Sequence, residues 1–564
     1  MNARQLQLDY HDGNMQNFDL NHVEITKTSF DQNKKSLTKK TTGKFYTPLE
    51  IGKPLVQALA KYILSLNKQK VSIIDPFCGD GRLIVWLLEK IVSPNLHVDI
   101  SLWDYDDLAI KDAEKNVLSV LKKLKLSYTI KTKRVDTFKE FYNDTYEEGF
   151  DVVITNPPWD IVKPDKTELS HLDQLAKENY ISSLKQFSNR LLNDYPLSKP
   201  NQMYAGWGVN LARIGTEVAI RLAAKQGFIG IVSPASLLAD QNSVALREWL
   251  FENHHCKEVN YFPAESRLFE GVDLASISLI IIKSTQQNGI LLTSFDKRAK
   301  ITSQEKLSIS TNFLKSIDYK LPISFGFKST NLKQLEKLQS LPYFQGLESP
   351  ELGGLWSGRE LDETNHKSWL SPTGTHLFVK GRMVDRFTYS TTPNTFVSES
   401  KKTEVPKSVN YHRLAWRDVS RPTQKRRIIA TIIPPGWVAG NSLGVAYFKQ
   451  DTNNSKLFAL LGVISSLIFE FQVRSLLATS HISVGVLRKT HIPSFSDSQF
   501  VETVSQLVQK RLQGQEGTEL AIEILVAKSY GFTRDDFENI IDAFPKIDDI
   551  YKEDLLNSRS WSIV

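Results

Sequence analysis

Val71-Ser72-Ile73-Ile74-Asp75-Pro76-Phe77-Cys78-Gly79-Asp80-Gly81 is an apolar run that stops on an acidic residue, turns through two glycines and enters a helical pattern from Arg82 to Val92. That order, strand then loop then helix, is the nucleotide-binding turn of an open α/β sheet. The stretch lacks the third glycine of G-x-G-x-x-G and contains no G-K-[ST]. A phosphate would call for backbone amides. This loop offers carboxylates instead, Asp75 and Asp80, which suits a ligand with a cationic end and no phosphate.

Further strand ends follow downstream. His97 to Leu102 reads as a strand ending at Trp103-Asp104-Tyr105-Asp106. A carboxylate at the tip of a second strand grips ribose hydroxyls, while Asp106 and Asp107 cap a helix from about Leu108 to Leu124. Tyr128 to Arg134 reads as a third strand, and in Val135-Asp136-Thr137-Phe138 the carboxylate can accept from an adenine amino group. Phe150 to Thr155 then feeds Asn156-Pro157-Pro158-Trp159. The prolines end the strand and keep Asn156 and Pro157 extended. The Asn156 side-chain oxygen and the Pro157 carbonyl can both accept from an exocyclic NH2, and Trp159 can stack on the heterocycle bearing it. A plain strand terminator would look the same over these four residues. Four polar groups at consecutive strand ends, Asp75, Asp104, Asp136 and Asn156, go beyond capping, because ligands of open α/β sheets bind there. S-adenosylmethionine, with its ammonium and sulfonium, is a cofactor of the required kind.

Upstream, Gly43-Lys44-Phe45-Tyr46-Thr47-Pro48 precedes apolar residues at helical spacing through Asn67, with Thr47 and Pro48 as N-cap and N1. Residues 1–40 read as a flexible polar arm ending in lysines, either solvated or contacting phosphate. The 564 residues suffice for two to four domains, and 41% apolar with 24% charged residues describes ordinary globular ones. No apolar run reaches membrane-spanning length and no signal peptide is expected, so a cytoplasmic protein is expected. Two cysteines are too few for a disulfide framework or a cysteine zinc site, and no metal is expected. The net charge of +7 leans towards a polyanionic partner.

Thr47-Pro48, Asp75 to Gly81, Asp104, Asp136 and Asn156 to Trp159, in this order, resemble the γ-class, TaqI-like adenine-N6 DNA methyltransferases of type II restriction-modification systems. The resemblance runs motif by motif from about residue 40 to 285. It implies a Rossmann-like mixed seven-stranded methyltransferase sheet with a C-terminal α+β DNA-recognition domain. It implies S-adenosylmethionine contacts from Tyr46, Thr47, Pro48, Asp75, Pro76, Phe77, Gly79, Asp104, Tyr105, Asp136, Thr137 and Pro158. Asn156, Pro157, Pro158 and Trp159 would handle a flipped adenine in double-stranded DNA. The family most often has Tyr or Phe where Trp159 stands.

Residues 160–205 are too long for a plain loop and should contain helix. Asn210 to Lys225 reads as an amphipathic helix and Gly227 to Pro234 as a fifth strand. Val259–Pro263 and Ser276–Lys283 read as an antiparallel pair closing the sheet, and Phe262 and Phe269, either of which could reach a flipped base, read rather as core. Composition shifts near residue 340. Lys401 to Arg427 holds nine basic residues against Glu404 and Asp418, interleaved with Tyr411 and Trp416, which favours a nucleic-acid surface. Expected DNA contacts are Arg359, Lys380, Arg382, Arg413, Arg417, Lys425, Arg426 and Arg427. Leu457 to Leu476 reads as one apolar helix, and Phe500 to Phe544 as helical and structural. The expected domains are an arm (1–40), a methyltransferase domain (41–335), a target-recognition domain (336–498) and a helical segment (499–564). Any cognate restriction endonuclease is expected on a separate chain. Rival readings are a protein-glutamine or ribosomal-RNA methyltransferase, a cytosine-N4 enzyme, and a DNA-binding subunit with an inert methylase fold.

Overall fold

The computed structural model describes residues 46–562, apart from 67, 92–94, 141–148, 202, 204–205, 273, 286–288, 322–328, 393–394, 422–423 and 478–479. The arm at 1–40 lies outside the described residues. The chain forms two compact units, dividing between residues 326 and 327.

The first unit opens with α1 (Leu49–Ser65), β1 (Lys70–Asp75), α2 (Arg82–Leu88), β2 (His97–Asp104), α3 (Asp107–Leu124), β3 (Ser127–Arg134) and β4 (Phe150–Thr155). It continues with α4 (Gln174–Asp194), α5 (Leu211–Leu222), β5 (Ala223–Pro234), β6 (His255–Phe262), β7 (Ser276–Ile282), β8 (Ile290–Phe295) and β9 (Ile301–Leu307). Val71, Ile73 and Ile74 are buried, as are Val98 and Ile100 across from them on β2 and Val152 and Val153 on β4, as strands covered on both faces must be. The strand order is β3-β2-β1-β4-β5-β7-β6-β8-β9. β1 to β5 are mutually parallel, and β7 is antiparallel to β5 and β6. The chain winds outward from β1 in one direction, then restarts at β4 in the other. The carboxyl ends of β1 and β4 therefore form the switch point where such sheets bind ligands.

Several expectations change here. The sheet has nine strands rather than seven, because the β8–β9 hairpin continues it past β6, with β8 parallel to β6. The antiparallel β6–β7 pair forms but does not close the sheet. Every residue of α5 except Arg221 is buried, so this amphipathic helix lies within the core. Pro48 occupies the N-cap of α1, where no side chain caps the helix, and Thr47 lies outside it.

In the second unit, β10 (Leu355–Gly358), β11 (Arg413–Arg417), β12 (Ala430–Ile433) and β13 (Leu443–Phe448) form an antiparallel sheet in the order β10-β13-β11-β12. A second small sheet of two- and four-residue strands accompanies it. The expected single helix at 457–476 is two, Ser455–Ile464 and Leu467–Leu476, bent by 64°. The break occurs where Ser466 caps the second helix by accepting from the Phe469 N–H. No single helix among the described residues is long and apolar enough to cross a membrane. The helices after residue 498 belong to this unit. Gly462 lets Ser498–Leu512 approach closely, since a Cβ there would stand 2.6 Å from Val504.

Candidate active site

The carboxyl ends of β1, β2 and β4 bring most of the expected residues together through hydrogen bonds. Asp75 is buried, and its Oδ1 accepts from the Phe77 N–H at 3.1 Å and the Thr155 hydroxyl at 2.8 Å. The second bond ties the tip of β1 to the residue before Asn156. Burial outweighs both bonds and pushes the Asp75 carboxyl up to about 7. Asp104 accepts from the Gly79 N–H at Oδ2 and the Asp106 N–H at Oδ1, both at 2.9 Å. Thr137 donates its hydroxyl to the Pro76 carbonyl at 2.5 Å, and Phe77 packs on Phe138 with ring centroids 5.0 Å apart.

The glycine loop spends its amides internally. The N–H groups of Phe77, Cys78, Gly79, Gly81 and Arg82 donate to Asp75, the Trp103 carbonyl, Asp104, the Cys78 carbonyl and Asp80. None of these five is left to cradle a phosphate. Gly81 sits at φ 77°, and a Cβ there would press on Ala113 at 3.0 Å, so both backbone and space require glycine.

Asp80 plays a different part from the one expected. Its two oxygens take Nε and Nη2 of Arg82 at 2.9 and 2.6 Å. The Arg82 Nη1 donates to the Thr47 carbonyl at 3.0 Å, and its guanidinium lies 4.6 Å above the Tyr46 ring. Arg82 thus fixes Tyr46 and Thr47 at the rim. Asp136 is buried, accepts from the Phe138 N–H at 3.1 Å and lies 3.8 Å from the Arg190 guanidinium on α4. The insertion at 160–205 therefore packs on this unit, and Tyr195 at the end of α4 donates to the Phe138 carbonyl at 2.8 Å. The Tyr105 carbonyl accepts from Arg134 Nε at 3.3 Å.

At the end of β4, the Trp159 indole N–H donates to Asn156 Oδ1 at 3.1 Å. Its ring rests on the buried Phe269, centroids 4.4 Å apart. Phe262 is fully buried and stacks on Phe295, as core. Pro157 is held from the other side by α5, where a Cβ on Gly215 would stand 2.2 Å from the Pro157 Cβ. Gly215→Ala is therefore expected to shift the Asn156–Trp159 corner. A displacement of about 1 Å lowers kcat by roughly 10²-fold, with stability lowered by about 1–3 kcal/mol. Single-turnover kinetics beside thermal unfolding checks this, and wild-type kcat in the variant contradicts it.

Sequence reasoning missed Thr155, Arg82 and Gly215. Thr155 was legible as the polar end of an otherwise apolar strand. The other two act through partners distant in sequence.

In the second unit the basic run divides. Arg413 is fully buried and pairs with the buried Glu360 at 2.8 Å, donating also to the Trp437 and Pro434 carbonyls at 2.7 Å. Arg426 meets Glu470 at 2.9 Å and Glu523 at 3.1 Å. Arg427 is buried and donates to the Ser420 carbonyl at 3.0 Å, and Arg417 Nε donates to the Val384 carbonyl at 2.7 Å. Trp416 is core. Arg413, Arg426 and Arg427 are therefore structural cations rather than DNA contacts, because their guanidiniums answer buried carboxylates and carbonyls. Arg382 and Lys425 are exposed, Lys380 pairs with Glu363 at 2.8 Å, and Arg359 pairs with Asp418 at 2.9 Å.

Residues 17–269 match the family model described as Eco57I restriction-modification methylase. The type II methyltransferase M.VspI of Vibrio sp. (strain 343) is 26% identical over 160 residues, covering 28% of this chain and 35% of that protein. M.BanIII of Aneurinibacillus aneurinilyticus is 26% identical over 251 residues, covering 43% and 38%. The matches thus span little over a third of those relatives. The solved structure of the type IIL restriction-modification enzyme MmeI in complex with DNA shares the fold, with a TM-score of 0.52 at 11% identity over 88% of this chain and 75% of that one. Over residues 17–269 the chain is similar to the Eco57I restriction-modification methylases.

Proposed function

We propose that the chain is a site-specific DNA methyltransferase acting on N6 of an adenine flipped out of duplex DNA, with S-adenosylmethionine as methyl donor, protecting that DNA from a restriction endonuclease carried on another chain. The observation that carries the reading is the corner at the switch point. Asn156 stands next to Thr155, which holds Asp75, and its oxygen faces the indole edge of Trp159.

The residues present fit that cofactor. A loop whose amides are spent internally does not suit phosphate, and a buried carboxylate poised near neutrality suits an ammonium. Tyr46, Thr47, Asp75, Asp104 and Asp136 would hold the cofactor, which supplies an electrophilic methyl on a sulfonium. Asn156 Oδ1 and the Pro157 carbonyl accept from the adenine amino group, which localises its lone pair. Trp159 stacks on the purine and, through its N–H, keeps the oxygen rather than the amide nitrogen of Asn156 on that side. Extruding the base costs a few kcal/mol, and the fixed geometry of the corner offsets the entropy of alignment.

Digesting DNA from expressing cells to nucleosides tests the reading. N6-methyladenine is expected; N4-methylcytosine alone, or no modified base, overturns it. The Asp75 carboxyl stays largely protonated below about pH 7, whereas a cationic ligand needs it ionised. S-adenosylmethionine affinity is therefore expected to rise up to about tenfold per pH unit below that value and to level off above it. Calorimetry at pH 6 and pH 8 checks this, and a flat profile contradicts it. In the ligand-free protein the same raised value lowers stability as pH climbs from 3.8 to about 7.

A further inference from the structure

Asp418 is 4% exposed at its side chain, yet both of its oxygens are taken by side chains that face solvent. Oδ1 meets Arg359 Nη2 at 2.9 Å and Oδ2 meets His481 Nδ1 at 2.7 Å, with those side chains 52% and 59% exposed. The sheet explains how they meet. β10 and β11 flank β13 and both run antiparallel to it, with Gly358 across from Val445 and Arg417 across from Leu443. Arg359 and Asp418 therefore leave the sheet at the same end.

The backbone around them is tied down. Asp418 N–H donates to the Ser442 carbonyl at 3.0 Å, Ser420 N–H to the Ser480 carbonyl at 2.8 Å and Ile482 N–H to the Asp418 carbonyl at 2.6 Å. The core indole of Trp416 donates to the Ile482 carbonyl at 2.8 Å. Ser442 also accepts the Gly381 N–H at 2.9 Å, which brings the exposed Arg382 to the same rim. Val419, between Asp418 and Ser420, is 50% exposed.

Pairing a buried carboxylate needs one cation, and stability alone does not account for two exposed groups on it. Orientation does. The carboxylate holds a guanidinium and an imidazole in fixed poses on rigid strands, which is what a reading surface needs. We infer that Arg359 and His481, positioned by Asp418, read base edges in the methylation site. The assignment rests on the DNA methyltransferase reading above. Arg359 keeps donors beyond the one given to Asp418, and its fork matches the O6 and N7 acceptors of guanine. The Asp418 contact makes Nδ1 of His481 the protonated nitrogen. Held in that pose, the exposed imidazole can hydrogen-bond a base edge.

Single-molecule sequencing of DNA from a methylation-deficient host expressing the full chain tests this, with Arg359→Ala, Arg359→Lys, His481→Ala and Asp418→Asn beside the unaltered protein. The unaltered protein is expected to modify one motif. Both Arg359 variants lose discrimination at one base pair by about 10- to 100-fold, His481→Ala relaxes another position, and Asp418→Asn relaxes both. Lysine at 359 keeps the charge and removes the fork, so its failure to restore stringency separates base reading from phosphate contact. An unchanged motif at unchanged stringency in the Arg359 and His481 variants overturns the assignment, even if Asp418→Asn fails to fold. Absence of any modified motif with the unaltered protein overturns the methyltransferase reading, and this assignment with it.

Discussion

Asn156→Ala is expected to lower kcat for methyl transfer by about 10²–10³-fold, the scale of removing one aligned electrostatic partner from a reacting group. Binding of S-adenosylmethionine is expected to survive. The Asp75–Thr155 bond, the Gly79–Asp104 bond and the Arg82 clamp on Thr47 involve no atom of the Asn156 side chain. Calorimetry for the cofactor and single-turnover transfer to plasmid DNA separate the two effects. A variant that binds cofactor and methylates at the wild-type rate sinks the assignment of Asn156. A variant that loses cofactor binding as well shows that the corner is structural.

Arg413→Ala is expected to destabilise the second unit by about 3–5 kcal/mol, because it leaves Glu360 buried with no cation. The loss is larger than that of a lone salt bridge. Glu360 gathers Arg413, the Ser408 hydroxyl and the Ala439 N–H, so one acid joins three segments. Urea denaturation measures the effect, with exposed Lys425→Ala as a reference expected within about 0.5 kcal/mol of wild type. An Arg413 that touched phosphate would behave otherwise: stability unchanged, and the salt dependence of DNA binding reduced by about one unit of slope.

These two residues mark how far a sequence can be read. Asn156, Asp75 and Asp104 stand at the ends of apolar runs, a pattern local enough to be visible, and a parallel sheet carries such ends to one rim. What holds them there is long-range. Gly215 is an unremarked helical glycine until Pro157 is found against it, and Arg82 is an ordinary first-turn residue until its guanidinium is found on the Thr47 carbonyl. Arg413, Arg426 and Arg427 read as surface charge because composition counts charges without locating the opposing ones. Glu360, Glu470 and Glu523 lie tens of residues away and come inside with them. Thr47 read as a cap because Thr-Pro is a good helix start. In the fold the proline takes that place, and the threonine turns inward.

The carboxylates that Arg426 and Arg386 depend on come partly from beyond residue 498. Arg426 reaches Glu523, and Arg386 reaches Glu519 at 3.4 Å. Anyone wishing to transplant the strands of the second unit into another protein must therefore move the terminal helices along with them. A graft cut at residue 498 would leave behind Glu519, which answers Arg386, and Glu523, one of the two acids that answer Arg426.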